Sequence, residues 1–448
     1  MRIHRPQTIP GDKFTFRTAT AVIIANMVGT GVFASLGFQL LEFESGFLLA
    51  ALWLAGGLAA FCGAMSYAEL GAALPRSGGE YNFLSEIYHP AAGFVSGWIS
   101  ATIGFAAPTA LAAITFGAYA APVFGAGAPE WSVKALACAL VTVLAVIHAS
   151  NRRNSGGAQI FFTVAKIAVI IGFCAAAFIV GGPGEPVRFL PAAEDGAMIA
   201  SGAFAVALIY VSYAYTGWNA ATYLSGEIEN PQRELPRILM TGTLVVMALY
   251  VALNIVFLRA APAEALRGQI EIGFIAAQHL FGEGAARATG GVLALLLIST
   301  VSAMTMAGPR VLHAIGEDFP ALSFLARTNV ADVPSIAIYV QSGLALVFIL
   351  TSSFQFILIF AGFAVALNSF VAVLGLFVLR WRRPELARPY RVVGFPITPL
   401  IYLTLTGWTL TYVLINRPAE GGFALAVIAA GFVFYGLARE RGAIDPGA

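Results

Sequence analysis

The sequence predicts an all-α integral membrane protein of about twelve transmembrane helices, on three observations. Hydrophobic residues make up 59% of the 448 positions and charged residues 11%, with a mean hydropathy of +0.82, a balance that calls for lipid as solvent. Apolar runs of roughly 18–25 residues, long enough to cross a bilayer as helix, recur along the whole chain. None shows the strict alternation that ~10-residue barrel strands require.

The runs fall at 18–40, 46–72, 90–122, 131–150, 157–181, 197–225, 237–258, 288–312, 334–352, 355–380, 397–416 and 421–438, and leave little sequence for a separate soluble domain. Span 1 is interrupted in its middle by Gly29-Thr30-Gly31. Span 2 ends on Tyr67-Ala68-Glu69-Leu70, and span 3 carries Phe105. Span 5 holds Lys166, the only Lys or Arg deep inside a run. Span 6 is interrupted at Tyr213-Ala214-Tyr215-Thr216-Gly217-Trp218-Asn219, span 8 carries Ser299, Thr300 and Ser302, and span 10 carries Asn368. Arg380, Arg382 and Arg383 close span 10 as positive-inside anchors.

With the N-terminus in the cytoplasm, Lys and Arg gather in the cytoplasmic segments, from Arg2, Arg5, Lys13 and Arg17 through Arg76, Arg152 and Arg153 to Arg439 and Arg441. Only Lys134, Arg188, Arg259, Arg267, Arg287 and Arg417 fall outside. That bias places both termini inside a cell (plasma or inner) membrane and requires an even number of spans. Residues 1–16 lack the apolar core of a removable signal, so span 1 doubles as the insertion signal. Cys62, Cys138 and Cys174 lie within spans at spacings that suit neither a disulfide nor a metal cluster, and read as core.

Spans 1 and 6 are five apart in order, and helix breaks at corresponding places in two halves mark a transporter of inverted repeats. The chain then divides into a cytoplasmic segment 1–17, a first repeat 18–181 (spans 1–5), a second repeat 197–380 (spans 6–10), two extra spans within 397–438, and a cytoplasmic tail 439–448. Unwinding a helix in hydrocarbon frees backbone groups that cost several kcal/mol each unless something binds them. The N-terminal end of a half-helix attracts a carboxylate, and freed carbonyls accept from an ammonium. A zwitterionic amino acid supplies both. The alternative is that these glycines serve only close helix packing.

Here the chain resembles the amino acid, polyamine and organocation transporter superfamily, and within it the L-type amino acid transporters and their bacterial relatives. Gly29-Thr30-Gly31-Val32-Phe33 is similar to the family's Gly-Ser-Gly-Ile-Phe break. Tyr67 to Leu70 with Pro75-Arg76-Ser77-Gly78-Gly79-Glu80-Tyr81, Tyr213 to Asn219 with Gly226-Glu227-Ile228-Glu229-Asn230-Pro231 and Leu235-Pro236, Gly308-Pro309-Arg310, and Arg388-Pro389-Tyr390 follow in the family's order. The resemblance implies a LeuT-like fold of five-plus-five inverted repeats with two further helices, and an amino acid held between spans 1, 3, 6, 8 and 10. It assigns the substrate carboxylate to N–H groups around Gly29, Thr30 and Gly31. The ammonium goes to carbonyls around Val28 and in the break through Tyr213, Ala214, Tyr215 and Gly217, with Tyr213 as an aromatic gate. Phe105 and Asn368 are expected to line the pocket. Lys166, about 13 Å along its helix from Gly157, resembles the fifth-span lysine of sodium-independent members, where the ammonium stands in for a sodium ion. It either stays charged and ties helices together or gives up its proton during the cycle. Ser299, Thr300 and Ser302 are its expected partners. Glu69 and Glu80 are expected near the cytoplasmic face, in packing or gate pairing.

No phosphate loop, metal-ligand cluster or nucleophile with a matched base is present in the sequence, so neither an enzyme nor an ATP-driven pump is expected, and no catalytic residue, metal or cofactor. The expected function is sodium-independent amino acid transport by alternating access, as uniporter, exchanger or proton symporter. The pocket spans show no evident acidic residue, which favours neutral L-amino acids. Cationic amino acid or polyamine transport is the nearest alternative, and a non-transporting amino acid sensor the alternative of another class. Expected partners are the amino acid and membrane lipid, without nucleic acid. The connection from Pro122 to Trp131 lacks the cysteine that joins light chains of heteromeric relatives to a heavy subunit, so no such disulfide-linked subunit is expected.

Overall fold

Caps and glycines set the helix boundaries. The computed structural model describes residues 15–76, 78–124, 129–150, 156–181, 187–223, 228–330 and 333–443. Arg2, Arg5, Lys13, Ser77, Arg152, Arg153, Gly226, Glu227, the tail beyond 443, and the middle of the Pro122 to Trp131 connection lie outside them, so the expectations there are untouched. Regular structure among the described residues is helical: α1 (Phe16–Met27), α2 (Gly31–Gln39), α3 (Gly46–Ala73), α4 (Glu80–Ile87), α5 (Pro90–Ile99), α6 (Ala106–Phe124), α7 (Glu130–Ser150), α8 (Gly156–Val180), α9 (Asp195–Ile199), α10 (Gly202–Ala214), α11 (Ala220–Tyr223), α12 (Pro231–Ala260), α13 (Ala263–Leu266), α14 (Ile272–Asp318), α15 (Ser335–Thr351), α16 (Phe354–Arg382), α17 (Ile397–Asn416) and α18 (Pro418–Ala443). A π segment, Ser100–Gly104, joins α5 to α6. Ser45, Ser201 and Ser353 cap α3, α10 and α16, each hydroxyl accepting from the N–H three residues on. Proline opens α5 and α12, where its missing N–H costs nothing. α14 kinks at Gly282, whose φ of 81° a side chain would resist.

Among the described residues each apolar run is mostly helix, interrupted at Val28–Thr30 in the first and Tyr215–Asn219 in the sixth. Eight described helices are long and apolar enough to cross a membrane: α3, α5 through α6, α7, α12, α14, α16, α17 and α18. Val164–Val180 of α8, α10 and α15 are shorter apolar helices. Large apolar side chains such as Phe161, Ile179, Leu295, Leu350 and Val433 stand exposed on outer faces, where lipid is the matching solvent.

The interior brings the first and second halves together, with α3 packed on α12 and α6 on α14. Trp53 of α3 stacks obliquely on Tyr215 and meets Tyr250 edge-on, while its Nε1 donates to Gln39 Oε1 at 3.0 Å, fastening α2 to α3. Charges sit at the two ends of α3. At its start, Arg417, Arg267 and Arg188 reach Glu42, Glu44 and Ser45. Near its finish, Arg380 grips Glu69 with both arms at 2.6 and 2.8 Å, and Val392 N–H donates to the same carboxylate at 2.7 Å. Glu69 is 1% exposed and has a second arginine, Arg388, at 3.6 Å, so its buried charge is compensated from two sides. Its role is to bind α3 to the end of α16 and the loop beyond.

Candidate functional site

The first break occupies Val28 to Thr30. α1 ends at Met27; Val28 leaves helical geometry at ψ 78°, and Gly29 N–H turns back to Met27 O at 2.7 Å. α2 restarts at Gly31, where the first N–H groups of a helix have no partner within it. Side chains from other helices hold both stumps. Tyr250 of α12 donates its hydroxyl to Met27 O. Tyr119 of α6 donates to Phe33 O at 3.2 Å and accepts from Gly273 N–H at 2.9 Å.

The second break runs from Tyr215 to Asn219, between α10 and α11. It is closed mostly by its own threonines. Thr216 sends N–H and Oγ1 to Tyr213 O at 3.0 and 2.7 Å, and Thr222 sends the same two groups to Asn219 O at 2.9 and 2.7 Å. Gly217, at φ +100°, makes the bend.

The two breaks fit against each other through absent side chains. A Cβ on Gly31 would stand 2.4 Å from Ala214 Cα, and one on Gly217 would stand 2.8 Å from Asn26 O. Each glycine therefore admits the backbone of the opposite break.

Between them lies a cavity of about 240 Å³. Asn26, Met27, Gly29, Thr30 and Gly31 line it from the first break; Tyr213, Ala214, Thr216, Gly217 and Asn219 line it from the second. The π segment adds Ser100 and Gly104, followed by Phe105 and Pro108; α14 adds Thr300, Met304 and Ala307; α16 adds Ala361, Val365 and Asn368. The start of α2 opens on the cavity at Gly31 and, as a helix N-terminus, suits a negative group, whereas Met27 O, Tyr213 O and Asn219 O already accept hydrogen bonds.

Nine of the residues singled out in the sequence share this cavity: Gly29, Thr30, Gly31, Phe105, Tyr213, Ala214, Gly217, Asn368 and Thr300. Val28 instead lines a small void with Lys166, Gly29, Phe33, Tyr119 and Thr300. Tyr215 turns away, its hydroxyl donating to Trp53 O at 3.2 Å, because it keeps helical geometry and, two residues on from Tyr213, faces the other side of the turn. Lys166 is 5% exposed, and its Nζ donates to Thr300 Oγ1 at 2.7 Å, joining α8 to α14 directly behind the first break.

The two serines beside Thr300 do not meet the lysine. Ser299 bonds Leu296 O in its own preceding turn at 2.7 Å, and Ser302, a further half-turn on, meets His148 Nε2 of α7 at 2.8 Å. A helix presents only one of these adjacent positions to a given neighbour.

Sequence reasoning missed Asn26, Asn219, Met304 and, above all, Glu80 as lining residues. Glu80 opens α4 and lines the cavity, accepting at Oε1 from Tyr67 Oη at 3.0 Å and from Asn219 Nδ2. The Ser77-Gly78-Gly79-Glu80 run signals a helix start, but not that the start folds inward beneath the second break.

Comparison with known proteins adds family to geometry. The family model described as amino acid permease matches residues 14–436. The b(0,+)-type amino acid transporter 1 of Mus musculus is 27% identical over 92% of this chain and 85% of its own length. The Asc-type amino acid transporter 1 of the same species is 29% identical over 92% and 78%. The large neutral amino acids transporter small subunit 2, also from Mus musculus, is 29% identical over 93% and 79%.

Proposed function

Because the chain belongs to the amino acid permease family, and is thus a multi-pass amino acid transporter and no enzyme, we propose that it carries neutral L-amino acids, independently of sodium, by alternating access. The observation that carries this reading is the meeting of two broken helices around one cavity, each break admitting the other's backbone through a glycine. The substrate carboxylate binds at the start of α2, at Gly29, Thr30 and Gly31. Its ammonium binds at carbonyls around Val28 and the second break, beneath Tyr213. Phe105 and Asn368 shape the space for the side chain.

Lys166 takes the place of a coupling cation. Its bond to Thr300 ties α8 to α14 behind the break that binds the carboxylate, so a change in that tie reaches the substrate through Gly29, which lines both spaces. Exchange, uniport and proton symport all suit this arrangement. The fold is read as twelve spans: α1–α8 and α10–α16 form inverted repeats and α17–α18 are additional. Both termini are cytoplasmic in a cell membrane, and the carrier works without a disulfide-linked heavy subunit. The neutral assignment draws on the relative named for large neutral amino acids and on a lining that is mostly apolar; the expectation of a pocket without an acidic residue is corrected by Glu80, which reaches the lining from outside the spans and leaves room for cationic side chains as well.

Reconstitution into liposomes tests the proposal. Vesicles loaded with leucine should accumulate labelled leucine in counterflow, equally well in sodium and in choline buffer. Saturable leucine binding without counterflow would make the protein a sensor. Competition by arginine, lysine or putrescine alone would overturn the neutral assignment.

A further inference from the structure

On this transport reading, we infer that Glu80 sets the charge selectivity of the cavity, admitting neutral and cationic amino acid side chains and turning away anionic ones. Glu80 is the only Asp, Glu, Lys or Arg among the described residues that lines the cavity. It belongs to none of the long spans, and stands at the first position of an eight-residue helix whose side chain is 1% exposed. Both Tyr67 and Asn219 present donors to Oε1, which hold the carboxyl group at the cavity wall.

Its counterpart is Lys166, which stays out of the cavity in the void behind Val28 and Gly29. The cavity thus lies between a buried cation behind the first break and a buried carboxylate beside the second. A zwitterion's carboxylate is drawn toward the α2 start, on the lysine side, and any further positive charge toward Glu80. A second anion on the side chain meets repulsion from Glu80 in a space lined mostly by apolar side chains. A unit charge acting across ~10 Å at an effective dielectric of ~20 changes affinity on the order of tenfold.

Competition against labelled leucine uptake in proteoliposomes measures this. Glutamate and glutamine are nearly the same size, so their inhibition ratio reports charge; lysine against methionine reports the opposite sign. Wild type should favour glutamine over glutamate strongly and accept lysine. In Glu80→Gln the glutamine-to-glutamate ratio should shrink on the order of tenfold and lysine should weaken against methionine by a similar factor. In Glu80→Asp, which keeps the carboxylate, both ratios should stay near wild type. Glu80→Gln, judged folded by gel filtration and by ligand-induced thermal shift where uptake is too slow, decides the matter, because glutamate and lysine should move in opposite directions; Glu80→Asp separates loss of charge from loss of shape. Unchanged ratios in Glu80→Gln with leucine uptake intact in wild type would overturn the role of Glu80 alone. Failure of wild type to take up leucine or any other neutral amino acid would overturn the transport reading instead.

Discussion

The two breaks solve the same problem with different materials. In the first, distant helices supply the partners: Tyr250 holds Met27 O, Tyr119 holds Phe33 O, and Lys166 stands behind on Thr300. In the second, Thr216 and Thr222 close the chain onto its own preceding carbonyls. The first break's carbonyls are thus held from other helices and the second's by its own hydroxyls, while Tyr215 and Asn219 tie the second break to α3 and α4 through Trp53 and Glu80.

The comparison breaks most sharply at glycine. Gly217→Val forces a branched side chain to φ +100° with its Cβ 2.8 Å from Asn26 O; it should cost at least roughly 1–3 kcal/mol and abolish uptake, seen by thermal unfolding and counterflow. Gly29→Ala meets only Met27 O at 3.8 Å and should fold normally, so equal damage from both would sink the contrast. Next, Lys166→Ala should slow uptake at least about tenfold by freeing a tie worth a charged hydrogen bond. Leucine should still raise its melting temperature, and wild-type rates would remove its assigned role.

Smaller again is the difference between hydroxyls. Tyr250→Phe strips a buried carbonyl of an outside donor and should cost about 1 kcal/mol. Thr216→Val leaves the Thr216 N–H on Tyr213 O and should cost less, on the order of 0.5 kcal/mol. Melts of the purified variants would reverse the assignment if Thr216 mattered more. The smallest effect concerns the strap leading into α10. Arg188 and the Ala192 N–H hold the Asp195 carboxyl below the usual carboxylate range. Its contribution is present above the unfolded carboxylate value and is lost as pH falls through the lower folded one. Melting temperature should therefore drop toward acid pH more steeply in wild type than in Asp195→Asn.

Much of this was legible in the residues. Among the described residues the apolar runs are helix outside the two interruptions, which became breaks; glycine alone is not the signal, since Gly56, Gly57, Gly63 and Gly71 sit in an unbroken α3 and admit neighbouring side chains. Length was less legible. The run at 288–312 lies within an α14 that starts at Ile272, since Glu283 and Arg287 lower the hydropathy while their ion pair at 2.7 Å supports the helix. Side-chain direction was legible only in part. Tyr213 and Tyr215 look alike in sequence, yet two residues apart on a helical turn they face opposite ways, one to the cavity and the other to Trp53. Thr300 and Ser302 are two apart and face different helices. Glu80 was hidden because its inward position depends on Tyr67 and Asn219, distant in sequence, and no local pattern encodes that meeting.

The π segment at Ser100–Gly104 has a consequence for how this helix tolerates length changes. Such a segment houses one surplus residue, and each residue of an α-helix advances the winding by about 100°. Deleting one residue there would let α5 run smoothly into α6, yet it would rotate the portion bearing Phe105 and Pro108 relative to the portion bearing Ile99. Because α6 is packed on α7, α14 and α15 while α5 is packed on α4 and α18, neither portion can follow the other. The irregularity thus works as a phase adjuster, setting the angle at which two separately anchored rods present their faces to the same space.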